Sequence, residues 1–188
     1  MAKKNKCGNY SHKSKIVDDI KFISTLEADF YEKELKPQKE QGIITHIDMQ
    51  VTYILEDKYI IVDGKIIEGS DPDFNKIKRK TKAKTFSAIK YTPDFNVTYA
   101  DGSYKIFECK GKSTTDFEIR KRLFLKKYPQ YLNSFFVIGQ DKKEDKFMDY
   151  YELVKLEKER KAEKAKLKSE KGNKRNNKTN TKRRKKKN

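Results

Sequence analysis

The spacing of apolar and polar positions changes several times along the chain, and each change marks an element. From Ser14 the run SKIVDDIKF alternates apolar and polar residues, as a short strand or extended arm does. In STLEADFYEKELK, Leu26, Phe30 and, with some drift, Leu35 share one helical face, and Pro37 should close that helix, which predicts a helix over about 24–36. The stretch GIITHIDMQVTYILEDKYIIVDGKIIEG is rich in β-branched residues, and Asp63-Gly64 between apolar runs is a hairpin signal, so two strands are predicted there. Strand character returns at FSAIKYTPDFNVTY and, after a turn at Ala100-Asp101-Gly102, at SYKIFECKG. Thr115-x-x-Glu118 reads as a capping box opening a helix through FEIRKRLFLKKY, with Phe117, Phe124 and Tyr128 near helical spacing and Pro129 as the stop. NSFFVIG is the last predicted strand. From about 148 to 171, strong helix formers of mixed charge with little apolar stripe predict a solvated helix. Helix, strands, helix and strand without an internal repeat predict one α/β or α+β domain around a mixed sheet.

Composition narrows the folded part. The 188 residues are 35% hydrophobic and 39% charged, with a net charge of +18, which indicates folded sequence diluted by solvated sequence. Half of that charge lies in residues 172–188, which hold nine Lys/Arg and no acid. A block of like charge cannot collapse on itself and attracts polyanions. The expected organisation is a flexible arm over 1–13, a folded domain over 14–147, a charged helix over 148–171 and a disordered basic tail over 172–188. Residues 69–85 carry Lys76, Lys78, Arg79, Lys80, Lys82 and Lys84 with little to bury, and read as a long basic loop. Cys7 and Cys109 lack the spacing of a zinc site. No apolar run reaches the length of a membrane span and the N-terminal residues lack the apolar stretch of a signal peptide, so a soluble, cytoplasmic protein without a membrane partner is expected.

The chemistry concentrates in TPDFNVTYADGSYKIFECKGK. If Ala100-Asp101-Gly102 is a three-residue loop with the glycine left-handed, Tyr99 pairs with Ser103 and opposed residues sum to 202. Asp94 then faces Glu108. Alternation returns Lys110 to the side of Glu108, while Phe95 and Phe107 pair on the other face. Two opposed carboxylates repel unless a cation lies between them. Mg²⁺ accepts one or two carboxylates and shares its remaining positions with water and phosphate, and Mn²⁺ is a substitute. Such an ion polarises a phosphoryl oxygen and activates water, with Lys110 placed to steady the developing charge, which is the chemistry of phosphodiester hydrolysis. Read in isolation, Glu108-x-Lys110 would be a surface ion pair. A second Pro-Asp, Pro72-Asp73, lies in the basic stretch without a flanking strand and is set aside.

Pro93-Asp94 followed by Glu108-Cys109-Lys110 resembles the PD-(D/E)XK nuclease superfamily, which includes restriction enzymes and phage and archaeal Holliday junction resolvases. KIVDDIKFISTLEADFYE, IKYTPDFNVTYADG and ECKGKSTTDFEIRKRLFLKKYP are similar to small phage-encoded endonuclease-like proteins of that superfamily, over about residues 14–139, and the pattern KG-x-x-T-x-x-F-x-x-K/R after Glu108-Cys109 adds specificity. One departure is Asp19, where a turn glycine is expected. The resemblance implies a restriction-endonuclease-like αβββαβ core, with a mixed sheet flanked by helices, and a helix-borne acid, here Glu27, joining Asp94 and Glu108 at the metal. Glu27 has an alternative role, since Ser24-x-x-Glu27 is itself a capping box. Gln50 falls where such nucleases carry a polar site residue, although a strand glutamine is also an ordinary solvated residue.

The expectation is therefore a Mg²⁺-dependent DNA endonuclease directed to branched DNA, with a homodimer as its mechanistic corollary because two cuts need two sites. Lys76, Lys78, Arg79, Lys80, Lys82, Lys84, Lys112, Arg120 and Arg122 are the candidate phosphate contacts, with a solvated face as the alternative. The competing readings are a non-catalytic basic nucleic-acid-binding protein and an RNA-directed nuclease with the same site.

Overall fold

One left-handed glycine fixes the register of the hairpin at the centre of the sheet. In the computed structural model of the protein, which describes residues 14–184 and the side chains of residues 14–167, Gly102 has φ +81° and the Tyr99 N–H donates to Ser103 O at 2.9 Å. The elements in chain order are β1 (Lys15–Val17), β2 (Ile20–Phe22), α1 (Thr25–Phe30), a π-helical turn (Tyr31–Leu35), α2 (Lys36–Glu40), β3 (Ile44–Met49), β4 (Tyr53–Glu56), β5 (Tyr59–Val62), β6 (Lys65–Glu68), α3 (Phe74–Thr81), β7 (Thr85–Phe86), β8 (Ile89–Tyr91), β9 (Phe95–Tyr99), β10 (Tyr104–Cys109), α4 (Thr115–Lys127), a 3₁₀ turn (Pro129–Tyr131), β11 (Phe135–Asp141), β12 (Lys146–Asp149) and α5 (Tyr150–Arg184). Across the Gly102 turn, Tyr104 opposes Thr98 and Phe107 opposes Phe95, the expected sum of 202. The five-stranded mixed sheet runs β12-β11-β10-β9-β3, with β10 parallel to β11 and antiparallel to β9. The fold is mixed α and β around a five-stranded mixed sheet, as expected.

Two compact units divide after Ile138. In the first, α1 covers one face of β9 and β10: the Phe30 ring lies 5.9 Å from Phe95 and 5.3 Å from Phe107. Alternation turns Ile106 and Glu108 to the opposite face. There α4 brings Phe124, fully buried, to 5.1 Å from Tyr91 and 5.6 Å from Phe135. In the second unit, Asp149 caps α5 by accepting from the Tyr151 and Glu152 N–H groups. Arg160 pairs with Asp141 at 2.7 Å and with Glu144 at 3.0 Å.

Several expectations are corrected. The early alternation is a hairpin: β1 and β2 pair around Asp18 and Asp19, at φ 50° and 61°. Aspartate, with its short polar side chain, enters the left-handed region more readily than most residues, so a turn glycine is not required. Helix continues past Pro37 to Glu40. The π-helical turn before it shifts the bonding pattern, with Lys36 N–H donating five residues back to Tyr31 O, and so accommodates a residue that lacks an N–H. The stretch 42–69 forms four strands rather than two, although Asp63-Gly64 does turn the β5–β6 hairpin. The basic stretch is not a loop throughout, because it contains α3. Lysine and arginine are good helix formers, and Phe74 and Ile77, three residues apart, give the helix a face to bury. The cap of α4 is Thr114, whose Oγ1 accepts from Phe117 N–H at 3.2 Å, one residue before the predicted cap. A further strand, β12, follows the one predicted to be last. Helical backbone in α5 continues to Arg184, into the segment expected to be disordered. The expected arm over 1–13 and the last four residues, 185–188, lie outside the described residues.

Candidate active site

The hairpin delivers the predicted juxtaposition. Asp94 immediately precedes β9, and its Oδ2 accepts from the Cys109 N–H at 2.7 Å, which ties it across the strand pair to the residue between Glu108 and Lys110. Glu108 is buried on β10, with 4% of its surface exposed. Its Oε1 is paired with the Lys110 Nζ, and its Oε2 accepts from the Tyr91 hydroxyl at 2.7 Å. Lys110 also lies over the Phe117 ring, 4.6 Å from its centroid.

Glu27 joins this group electrostatically from the first turn of α1. Burial and then the charge of Glu108 hold its carboxyl above the ordinary range, with Lys110 opposing. Its alternative role is only half formed: Ser24 Oγ accepts from Leu26 N–H at 3.1 Å, while among the described residues no hydrogen bond returns from the Glu27 carboxylate to Ser24. Asp94 is perturbed more strongly. Burial, then Glu108 and then Glu27 push its carboxyl well above the usual range, against the pull of the Cys109 N–H and Lys110. Burial alone would depress the Lys110 ammonium, but Glu108, Asp94 and Glu27 together outweigh it, so the group is raised and stays charged at neutral pH.

One acid, Glu108, therefore pairs with Lys110 while Asp94 and Glu27 interact with the pair electrostatically, and repulsion among three acids is the condition that a bound cation relieves. The available donors are all carboxylate oxygens, which suits a hard ion. Among the described residues no three His, Cys, Asp or Glu side chains form a ready-made metal cage. A site of one or two carboxylates completed by water and phosphate is the form in which Mg²⁺ is usually held, so the residues fit that ion. Cys109 is no part of the donor set, because its thiol is buried on the other face and held in its neutral form by burial.

The remaining candidates divide. Gln50 extends the β3–β9 register to a position opposite Asp94, and its N–H donates to Asp94 O at 3.2 Å. It does so at φ 55°, so it joins the site through its backbone. Arg120 is committed within the fold, paired with Asp116 at 3.0 Å and donating to Lys90 O at 3.0 Å. Lys112 and Arg122 are not buried, and neither are the six cations of the basic stretch. Asp73 of the second Pro-Asp lies next to α3 and pairs with Lys76. A cleft of about 330 Å³ bordered by Glu56, Asp57 and Glu68 contains none of the candidate residues.

The residues of the pattern after Lys110 each have a place in the fold. Thr114 caps α4, Phe117 seats the Lys110 ammonium, and Arg120 fastens α4 to β8. Tyr91 escaped sequence reasoning, because an aromatic residue in a strand reads as core or as a base-stacking group. Only the β8 geometry shows that its hydroxyl reaches Glu108.

A family model, described as "Protein of unknown function (DUF1064)", matches residues 7–145. The chain belongs to the DUF1064 family. The match spans the whole of the site just described and the basic helix α3. No curated protein and no solved structure matches the chain.

Proposed function

We propose that this DUF1064 protein is a Mg²⁺-dependent endonuclease that hydrolyses DNA phosphodiester bonds. The observation that carries the reading is the pairing of buried Glu108 with Lys110 at the open end of a hairpin that ties Asp94 to the residue between them, with Glu27 joined to the pair electrostatically. Asp94 and Glu108 would hold the ion, with Glu27 as a third acid. When bound, such an ion would supply Lewis acidity towards the phosphoryl oxygen and lower the pKa of water beside it. Lys110, charged and anchored on Phe117, donates to the phosphoryl oxygen as charge builds there or orients the attacking water. Tyr91 holds the Glu108 carboxylate in one orientation, and Gln50 holds the Asp94 backbone. Water oxygen bonds to phosphorus, the P–O bond to the leaving strand breaks, and the leaving oxygen takes up a proton. The sequence resemblance supports branched DNA as the substrate and a homodimer as the working assembly.

A second reading rests on the saturation of Glu108. With one oxygen on Lys110 and the other on Tyr91, the cluster would also serve as a buried structural ion pair in a non-catalytic nucleic-acid-binding protein. Incubating the protein with labelled four-way junctions, duplex and single strands of DNA, and RNA counterparts, in Mg²⁺ or Mn²⁺ separates the two. Cutting that disappears in Asp94→Ala and Lys110→Ala is expected. Absence of metal-dependent cutting on every substrate would leave the second reading in place, and preference for RNA would reassign the substrate.

A further inference from the structure

The segment between β3 and β9 is an arm rooted at the candidate site. At its base the Gln50 N–H meets Asp94 O, the Thr52 and Thr92 hydroxyls lie 3.0 Å apart, β4 pairs with β8, and Tyr91 reaches Glu108. Further out, β5 pairs with both β6 and β7, and α3 lies between β6 and β7 in the chain. Phe74 is buried and Ile77 half-buried, which leaves Lys76, Lys78, Arg79 and Lys80 exposed, followed by exposed Lys82.

Lys76 pairs weakly with Asp73, at 3.8 Å. Lys78, Arg79, Lys80, Lys82 and Lys84 have no acid within ion-pair distance among the described residues. An ordered helix that concentrates cations with a single weak internal ion pair among the described residues is matched to an external polyanion. At a rise of about 1.5 Å per residue, the four cations of 76–80 occupy roughly 6 Å, over which duplex DNA presents about four phosphates. No aromatic residue interrupts 75–85, and Phe86, which follows, is stacked on Tyr59 at 4.7 Å, so the helix itself offers cations and no row of the stacking platforms that single strands use.

We propose that α3 and its continuation to Lys84 form a docking surface for the phosphate backbone of duplex DNA flanking the cleavage site. Lys84 stands ten residues from Asp94 and Lys76 eighteen, chain lengths that span at most about 35 Å and about 65 Å, so the contact falls within roughly two duplex turns of the site. The choice of DNA rests on the nuclease reading. The binding itself does not require hydrolysis.

The test uses the full chain in EDTA, where no turnover occurs, with fluorescence anisotropy of a labelled duplex across a salt series. The variant K76Q/K78Q/R79Q/K80Q, checked for its fold by circular dichroism, should bind duplex DNA at least about tenfold more weakly near physiological salt. The slope of log affinity against log salt should shrink by about 2–4, or about 0.9 for each phosphate that the variant no longer neutralises. A second variant that neutralises four cations of the tail, R184Q/K185Q/K186Q/K187Q, controls for net charge. An unchanged slope in the folded α3 variant, an equal loss in the tail variant, or tighter wild-type binding to phosphatidylserine vesicles or single strands than to duplex would each overturn the proposal. Duplex binding abolished in the α3 variant, with no cutting by any form in Mg²⁺, would sustain α3 as the docking surface while removing the nuclease reading.

Discussion

Asp94→Asn should make the metal-free protein more stable while removing the proposed nuclease activity. Asp94 is enclosed beside Glu108 and Glu27, and its raised carboxyl means that the ionised form is disfavoured in the folded state. A pair of unit charges at the roughly 5–8 Å typical of residues opposed across neighbouring strands repels by about 2–3 kcal/mol at an effective dielectric near 20, part of which Lys110 cancels. The asparagine carbonyl can still accept the Cys109 N–H, at a cost of about 1 kcal/mol for the lost charge assistance. The net gain is then about 1–2 kcal/mol, or a melting temperature roughly 2–8 °C higher for a chain of this size. The dependence on pH has a definite sign. Below the ordinary carboxylate range both folded and unfolded wild type are protonated at this position, and the difference from the variant is smallest. As pH rises through the ordinary range and up to the raised value, the folded state retains a proton that the unfolded state has lost, so wild-type stability falls relative to the variant. Thermal melts in EDTA at about pH 4 and pH 8 should therefore show a gap that widens upward. Millimolar Mg²⁺, binding the folded wild type alone, should narrow it. A variant no more stable than wild type at the higher pH, or a gap independent of pH, would refute the electrostatic argument. A gap indifferent to Mg²⁺ would count against metal binding and leave the electrostatics standing.

Other substitutions probe the same cluster from its remaining sides. Tyr91→Phe keeps the packing against Phe117, Phe124 and Phe135 but strips Glu108 of its donor; we expect a loss of about 1.5–3 kcal/mol by denaturant titration, and a Mg²⁺ requirement for cleavage raised about 10- to 100-fold, and equal Mg²⁺ titration curves would count against a positioning role. Lys110→Met leaves Glu108 buried without its counter-ion and should cost about 2–4 kcal/mol, most of it recovered when Glu108→Gln is added, as a double-mutant cycle will measure. Phe124→Ala empties the centre of the aromatic cluster on the α4 face and should cost about 3–5 kcal/mol in the same titration.

What could be read from the sequence was whatever a single residue type enforces locally. Gly102 fixes the register of β9 and β10 because a left-handed turn position all but demands glycine, and the opposition of Asp94 and Glu108 follows from counting. The same logic misleads at Asp19, where a second residue type can occupy the left-handed region, and at Pro37, where a π-helical turn absorbs what local rules forbid. The basic stretch hides its helix because charge density masks helix propensity: the two apolar residues that anchor α3 are one turn apart, too few to register as a stripe.

The site divides along the same line. The chain-adjacent members, Asp94, Glu108 and Lys110, are one hairpin, and hairpin register needs no knowledge of the rest of the fold. Glu27 and Tyr91 arrive from other elements, α1 and β8, and nothing in their local sequence distinguishes a capping glutamate or a core tyrosine from a site residue. That difference bears on how the cluster works. Within the hairpin the Cys109 N–H already fixes one oxygen of Asp94, but Glu108 set by the hairpin alone would be free to relax the repulsion by rotamer change, and it is the Tyr91 hydroxyl from β8 that holds one of its oxygens in place. The part of the repulsion that Lys110 and the raised Asp94 carboxyl do not cancel is thereby held in place, and its release is what a bound cation would contribute under the proposed metal-dependent reading.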